Sequence, residues 1–263
     1  MEKKYIDLKL KENTKRQRLE WLDTIRGLTL ISMIIYHAVW DIVYIAKVDW
    51  SWFESGFFYF WQQSICWTFI LLSGFSWSLG SRGVKRGGIV TVAGILVSAV
   101  TVLFTPEERI VFGVLTFLGA AMLLMIPMEK LLYRVPKEIG AVISFALFIA
   151  LKSMNRGYLA IEGIARIKLP DSLYHQGYVM TFLGFTDTEF FSTDYFSMLP
   201  WIFLFITGYF LYRIFEQQHW LEKSQFPFVG NKHISILGRH SLLIYLVHQP
   251  IIYAGVVLGK TII

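Results

Sequence analysis

Residues 55–81 read SGFFYFWQQSICWTFILLSGFSWSLGS, 27 positions without an Asp, Glu, Lys or Arg. A helix needs about 20 mostly apolar residues to cross the hydrocarbon core of a bilayer, so this stretch is long enough to span. Four more charge-free runs follow, Gly87–Pro106, Ile110–Met128, Tyr195–Tyr212 and His240–Gly259, of 20, 19, 18 and 20 residues. Two weaker candidates complete the set: 21–45 near the start, and Ile139–Leu151 with 13 residues. The whole chain of 263 residues is 55% hydrophobic and 17% aromatic, with a mean hydropathy of +0.50. Soluble domains run at about 45–50% apolar. The reading is an all-α, polytopic transmembrane helix bundle of about seven spanning helices, multi-pass in a bilayer.

Basic residues orient such a bundle, because cytoplasmic loops carry the excess of Lys and Arg. With seven spans and the N-terminus inside, 18 of the 25 basic residues fall on the cytoplasmic side and seven on the other. That split favours N-in, C-out, and it requires Ile139–Leu151 to be a true span. The organisation expected is a basic cytoplasmic segment over 1–20 and one transmembrane domain over 21–259 with an external loop, 152–194. The net charge of +6 is then a topological signal, and with no groove-reading or base-stacking motif beside it, nucleic acid is not the expected partner. The first helix is expected to be retained, since Trp40–Asp41–Ile42 offers no small-residue cleavage site. Cys66 is the only cysteine. It forms no internal disulfide, and no metal-ligand spacing is present.

The first span, WLDTIRGLTLISMIIYHAVWDIVYI over 21–45, keeps ionisable groups where they are costly. Arg26 and His37, 11 residues apart, lie about 20° from each other around a helix and roughly 16 Å apart along it. Asp23 with Arg26 and His37 with Asp41 are surface neighbours at i, i+3 and i, i+4. All four share one stripe. Asp23 and Arg26 also fit a plain ion pair at headgroup level, and Asp41 a boundary marker. His37 sits inside the outer end, where intramembrane ionisable groups face a cavity or the bundle interior. With Asp41 it has the form of a base and its orienter in general acid–base catalysis. In the last span, Ser241, Tyr245 and His248 share a face at i, i+4, i+7. Pro250 is expected to bend that helix just beyond His248.

The pattern RLEWLDTIRGLTLISMIIYHAVWD resembles the first helix of the heparan-alpha-glucosaminide N-acetyltransferase catalytic-domain family in its compact bacterial form. The stretches FILLSGFSWSLGSR, VFGVLTFLGAAMLL, DYFSMLPWIFLFITGYFL and LGRHSLLIYLVHQPIIY resemble the same family in the same order, from about Arg18 to Tyr253. The Arg26-to-His37 spacing is similar to an arginine–histidine motif of the wider membrane acyltransferases. Two departures stand out: Val43–Ser55 holds no histidine where the heparan enzyme has one, and Thr116 stands where relatives often carry one.

The resemblance implies acyl transfer in a bacterial cytoplasmic membrane. Acetyl-CoA from the cytosol would be the donor, a sugar or glycoconjugate amine or hydroxyl the acceptor, and no metal is called for. His37 matches the catalytic base and Arg26 the motif arginine. Asp41 would steady the imidazolium, and His248 would polarise the thioester carbonyl or orient the acceptor. Arg82, Lys85 and Arg86 form a basic turn after the second span, suited to CoA phosphates beside Gly83, Gly87 and Gly88; the same turn also serves the positive-inside bias. A homo-oligomer is compatible with all of this. The rival reading is a transporter or scaffold with a His/Asp relay and no catalysis, although the chain lacks the related halves with interrupted helices that many transporters show.

Overall fold

The computed structural model describes residues 19–50, 53, 56–80, 82–161, 165–223 and 231–262. Most of the expected 1–20 segment therefore lies outside the described residues. The elements are α1 (Glu20–Tyr44), α2 (Gly56–Trp77), α3 (Gly83–Phe104), α4 (Val114–Leu132), α5 (Lys137–Leu151), β1 (Tyr158–Ile161), β2 (Ala165–Lys168), α6 (Gly177–Leu183), α7 (Met198–Gln217), α8 (Lys232–Arg239) and α9 (Ser241–Ile262). Among the described residues six helices are long and apolar enough to cross a membrane: α1, α3, α4, α5 with the turn that extends it to Arg156, α7, and α9 as far as Gly259. The seventh long helix, α2, has 22 residues and no charge; its Tyr, Trp and Gln residues only dilute its hydropathy. The chain is a multi-pass helical membrane bundle.

The centre of the bundle is α7. Residues 204–210 are buried in unbroken succession, including Phe205 and Leu204 at 0% exposure. A helix apolar all round must be covered all round, and α2, α4 and α5 pack against it. The α2–α7 crossing is close because small residues face backbone: a Cβ on Gly74 would lie 1.9 Å from the Phe205 carbonyl oxygen, and one on Gly208 2.2 Å from that of Leu71. Close approach through small residues is how membrane helices gain packing without a hydrophobic driving force. A buried hydroxyl pair, Ser144 Oγ and Thr207 Oγ1 at 2.9 Å, ties α5 to the same core helix. By contrast α3 turns Val84, Ile89, Val92, Ile95, Leu96 and Leu103 outward, an apolar face suited to lipid.

Contacts at the helix ends put the starts of α1 and α5 and the ends of α2, α4 and α7 on one side of the bundle. At one end Arg26, near the start of α1, meets Ser76 at the end of α2. Arg213, near the end of α7, donates to the carbonyls of Leu132 and Val135 between α4 and α5. At the opposite end Val114 N, opening α4, donates to Asp194 just before α7 at 3.1 Å. Lys152, just past α5, stands over the Tyr59 and Trp67 rings in the first half of α2, at 5.4 and 5.0 Å. The short Ile139–Leu151 segment thus runs from one end of the bundle to the other.

The connection over 152–194 is more built than a loop. Its hairpin pairs Tyr158 with Lys168 and Leu159 with Ile167, and the Arg166 guanidinium covers the Tyr158 ring at 4.0 Å, the reach of a diagonal cross-strand pair. α6 and a turn at Asp171–Tyr174 follow. The helix expected to bend at Pro250 continues through it to Ile262.

Candidate active site

Two polar sites lie at opposite ends of α1, and one unbroken helix of 25 residues holds them apart. The first gathers at its C-terminal half. His37 faces His248 of α9, with ring centroids 5.1 Å apart and planes at 64°. Asp41, one turn on, is fully buried, and its Oδ1 accepts a hydrogen bond from Gln249 Nε2 at 2.9 Å. Its carboxylate is thus bonded to an amide from the other helix. Asp41 and His37 share α1, while His248 and Gln249 are consecutive on α9, so one helix pair supplies four polar side chains.

One hydrogen bond fixes the state of His248. Its Nδ1 lies 2.6 Å from the Tyr245 carbonyl oxygen. A carbonyl only accepts, so Nδ1 bears the hydrogen, and in the neutral ring Nε2 is left with the lone pair. That Nε2 is buried without a hydrogen-bond partner, as are Asp41 Oδ2 and Gln249 Oε1. Buried polar atoms are nearly always partnered in folded proteins. These three atoms lie together on one interhelical contact.

Aromatic side chains wall this end. Tyr36 stands edge-on to both His37 and Trp61, at 5.9 and 5.4 Å. Trp61 anchors through Nε1 to Ser32 of α1 at 2.8 Å. Beside it a groove of about 370 Å³ is lined by Phe57, Phe60, Trp61 and Ser64. From the same face of α9, Tyr245, whose ring lies 5.3 Å from that of His248, reaches Asp194 Oδ2 through its OH at 3.5 Å. Asp194 is half-buried, and loss of hydration raises its carboxyl pKa. Thr116 lies here, beside Asp194 and Tyr245.

The second site is cationic. Arg26 Nη1 meets Asp23 Oδ1 at 3.2 Å and Arg26 Nη2 donates to Ser76 Oγ at 2.7 Å. Arg86 Nη1 donates to the carbonyl of the same Ser76 at 3.3 Å. Arg239, from α8, approaches Asp23 Oδ2 at 3.6 Å. Three guanidinium groups from α1, α3 and α8 therefore converge on one carboxylate and one serine. α8 can sit so close because Gly238 abuts the Asp23 carbonyl, where a Cβ would come within 1.8 Å. Arg82 caps α3, and Lys85 lies in its first turn; both are exposed.

The structure brings His37, Asp41 and His248 together and sets Arg26 and Arg86 at the other end, with Arg82 and Lys85 beside them. Sequence reasoning missed Gln249, Arg239 and Ser76. Gln249 is off the Ser241–Tyr245–His248 stripe by one 100° step, so helical periodicity hid it; its only signal was adjacency to His248. Among the described residues no group of three or more His, Cys, Asp or Glu is placed to hold a metal ion.

The fold and its polar ends define a multi-pass membrane protein with paired imidazoles at one end and clustered arginines at the other. The family described as heparan-alpha-glucosaminide N-acetyltransferase, catalytic, matches residues 18–250. The chain belongs to that family, whose name describes an acetyltransferase acting on a sugar. No curated protein and no solved structure matches the chain.

Proposed function

We propose that this protein is an integral enzyme of the bacterial cytoplasmic membrane, with one catalytic domain over 21–259. It moves an acetyl group from cytosolic acetyl-CoA to an amine or hydroxyl of a sugar or glycoconjugate at or across the membrane. The N-terminus faces the cytosol, which puts the arginine cluster on the side where CoA is found. The observation that carries this reading is the His37–His248 pair, 5.1 Å between ring centroids, with one imidazole nitrogen held as a free lone pair.

The chemistry follows from the two ends. Arg26, Arg86 and Arg239, with the exposed Arg82 and Lys85, favour the CoA phosphates, because guanidinium–phosphate contacts are charge-assisted and often bidentate. The roughly 16 Å from Arg26 to His37 is comparable to the reach of an extended pantetheine arm, so a thioester anchored at one end arrives at the other. The buried lone pair of His248 Nε2 makes that ring, rather than the His37 expected from the sequence, the base of this proposal: it takes the proton of the acceptor N–H or O–H as that atom attacks the thioester carbonyl, with His37 as its relay partner. The C–S bond breaks, and the imidazole pair returns the proton to the departing thiolate. Negative charge on Asp41, one turn from His37, favours the imidazolium state.

The test is turnover of radiolabelled acetyl-CoA by the purified protein with a panel of envelope sugars. Label transferred to a sugar by the wild-type protein and lost in His37→Ala supports the reading. A stable protein that binds acetyl-CoA yet transfers nothing to any acceptor refutes it.

A further inference from the structure

α9 carries half of the candidate site from the edge of the bundle. Among its described side chains, 241–259, His248 alone is buried, while Leu243, Val247, Ile251 and Leu258 point outward. Few buried contacts mean low local stability, so packing alone lets such a helix turn or slide along α1. The His37–His248 contact survives neither movement, and something has to fix the register of α9.

Tyr245 is placed to do so. It packs against both the central core and the cluster of Leu30, Met33 and Ile65, and its OH donates to Asp194 Oδ2 at 3.5 Å. Asp194 is itself anchored. The same Oδ2 accepts from Val114 N at 3.1 Å, and Ser192 Oγ donates to the Asp194 carbonyl at 3.2 Å. Backbone bonds on either side, Thr193 N to the Arg109 carbonyl and Phe196 N to the Phe112 carbonyl, knit this strap to the turn that opens α4. Gly113 leaves room for the carboxyl, since a Cβ there would lie 2.9 Å from Oδ2. At the other end of the tie, His248 Nδ1 donates to the Tyr245 carbonyl at 2.6 Å, so the imidazole moves with the Tyr245 backbone.

We infer that Tyr245 and Asp194 are positioning residues for His248: the Tyr245 hydroxyl locks α9 in register on the Asp194 carboxyl, and that lock holds the His248 ring against His37. The inference rests on the acetyl-transfer reading for its effect on rate, while the tie itself stands on geometry alone. It needs no charge on Asp194, because a carboxyl oxygen accepts hydrogen bonds whether the group is protonated or ionised. An asparagine carbonyl can take the same place. Phenylalanine at 245 keeps the packing and loses only the tie.

The experiment uses the full chain in lipid nanodiscs and two readouts. One is acetyl transfer from radiolabelled acetyl-CoA to glucosamine. The other is the distance distribution between nitroxides on Ile35→Cys of α1 and Ile251→Cys of α9, by double electron–electron resonance with Cys66→Ser removing the native thiol. Misplacing a reacting group by about 1 Å costs up to about 10²-fold in rate. Tyr245→Phe should therefore lower kcat about tenfold or more, leave the acetyl-CoA KM within about threefold, and broaden the distance distribution. Asp194→Leu should do the same, and the two together should cost no more in kcat than either alone, as expected of residues in one tie. Asp194→Asn should keep kcat within about threefold of wild type and keep the distribution narrow. Wild-type kcat and distances in Tyr245→Phe overturn the inference and leave the proposed reaction standing. A loss in Asp194→Asn equal to that in Asp194→Leu also overturns it, since charge rather than geometry would then be at work. Broadened distances in Tyr245→Phe, with no acetyl transfer even by the wild type, support the tie and count against the reaction.

Discussion

Replacing His248 separates catalysis from scaffolding in a single side chain. The imidazole does two things: Nδ1–H donates to the Tyr245 carbonyl at 2.6 Å, and Nε2 offers a buried lone pair. An asparagine amide can occupy the Nδ1 position and keep the first bond while having nothing at Nε2. His248→Asn should therefore retain wild-type thermal stability and lose about 10²–10⁴-fold in kcat, the usual cost of a missing general base, or about 3–5 kcal/mol of transition-state stabilisation. His248→Ala should lose the same activity and additionally about 1 kcal/mol of stability for the missing hydrogen bond. The assay is single-turnover acetyl transfer from radiolabelled acetyl-CoA, with yield, Tm and CoA affinity measured on the same preparations. If His248 were only a structural strut, Asn would rescue activity along with stability. Full turnover in a stable His248→Asn protein would refute the role given to Nε2.

Asp23→Asn should destabilise the protein by on the order of 2 kcal/mol, less than a fully buried broken pair because the Arg239 partner is 37% exposed; thermal unfolding in detergent measures it, and an unchanged Tm would remove Asp23 as the organiser of the arginine cluster. Replacing the exposed pair Arg82 and Lys85 with Gln should weaken CoA binding at low salt, with the difference from wild type shrinking as salt rises; calorimetry showing equal affinities would leave that turn with its topological role alone. Reporters fused before Met1 and after Ile263 should read opposite sides of the membrane, cytoplasmic and external, and agreement between them would break the seven-span orientation. Asp194 supplies a pH test, because burial raises its folded-state carboxyl pKa. Its stabilising contribution is then complete below the unfolded carboxyl value and is lost as pH rises through the raised folded value. The Tm of the wild type relative to Asp194→Asn should accordingly fall across that window, and a difference that rises with pH would reverse the assignment.

The sequence by itself determined the class of this protein. Charge-free runs of 18 residues and more admit few structures besides membrane helices, because backbone polar groups in lipid must be satisfied within the segment. Helical periodicity also placed His37 and Asp41 on one stripe of α1, since neighbours at i, i+4 follow from backbone geometry alone. Even the weak 13-residue span was legible, through the sidedness of the basic residues, and the contacts of Lys152 and Arg213 bear out its crossing. What sequence periodicity cannot report is which helix lies across the stripe. Only tertiary packing set His248 against His37, joined Gln249 to Asp41, and brought Arg239 and Ser76 to Arg26 from positions 213 and 50 residues away in sequence. The α1–α8 approach depends on Gly238, whose lack of a side chain lets backbone meet backbone at Asp23. The site lies between helices, and the chain reveals it only once the helices have found their neighbours.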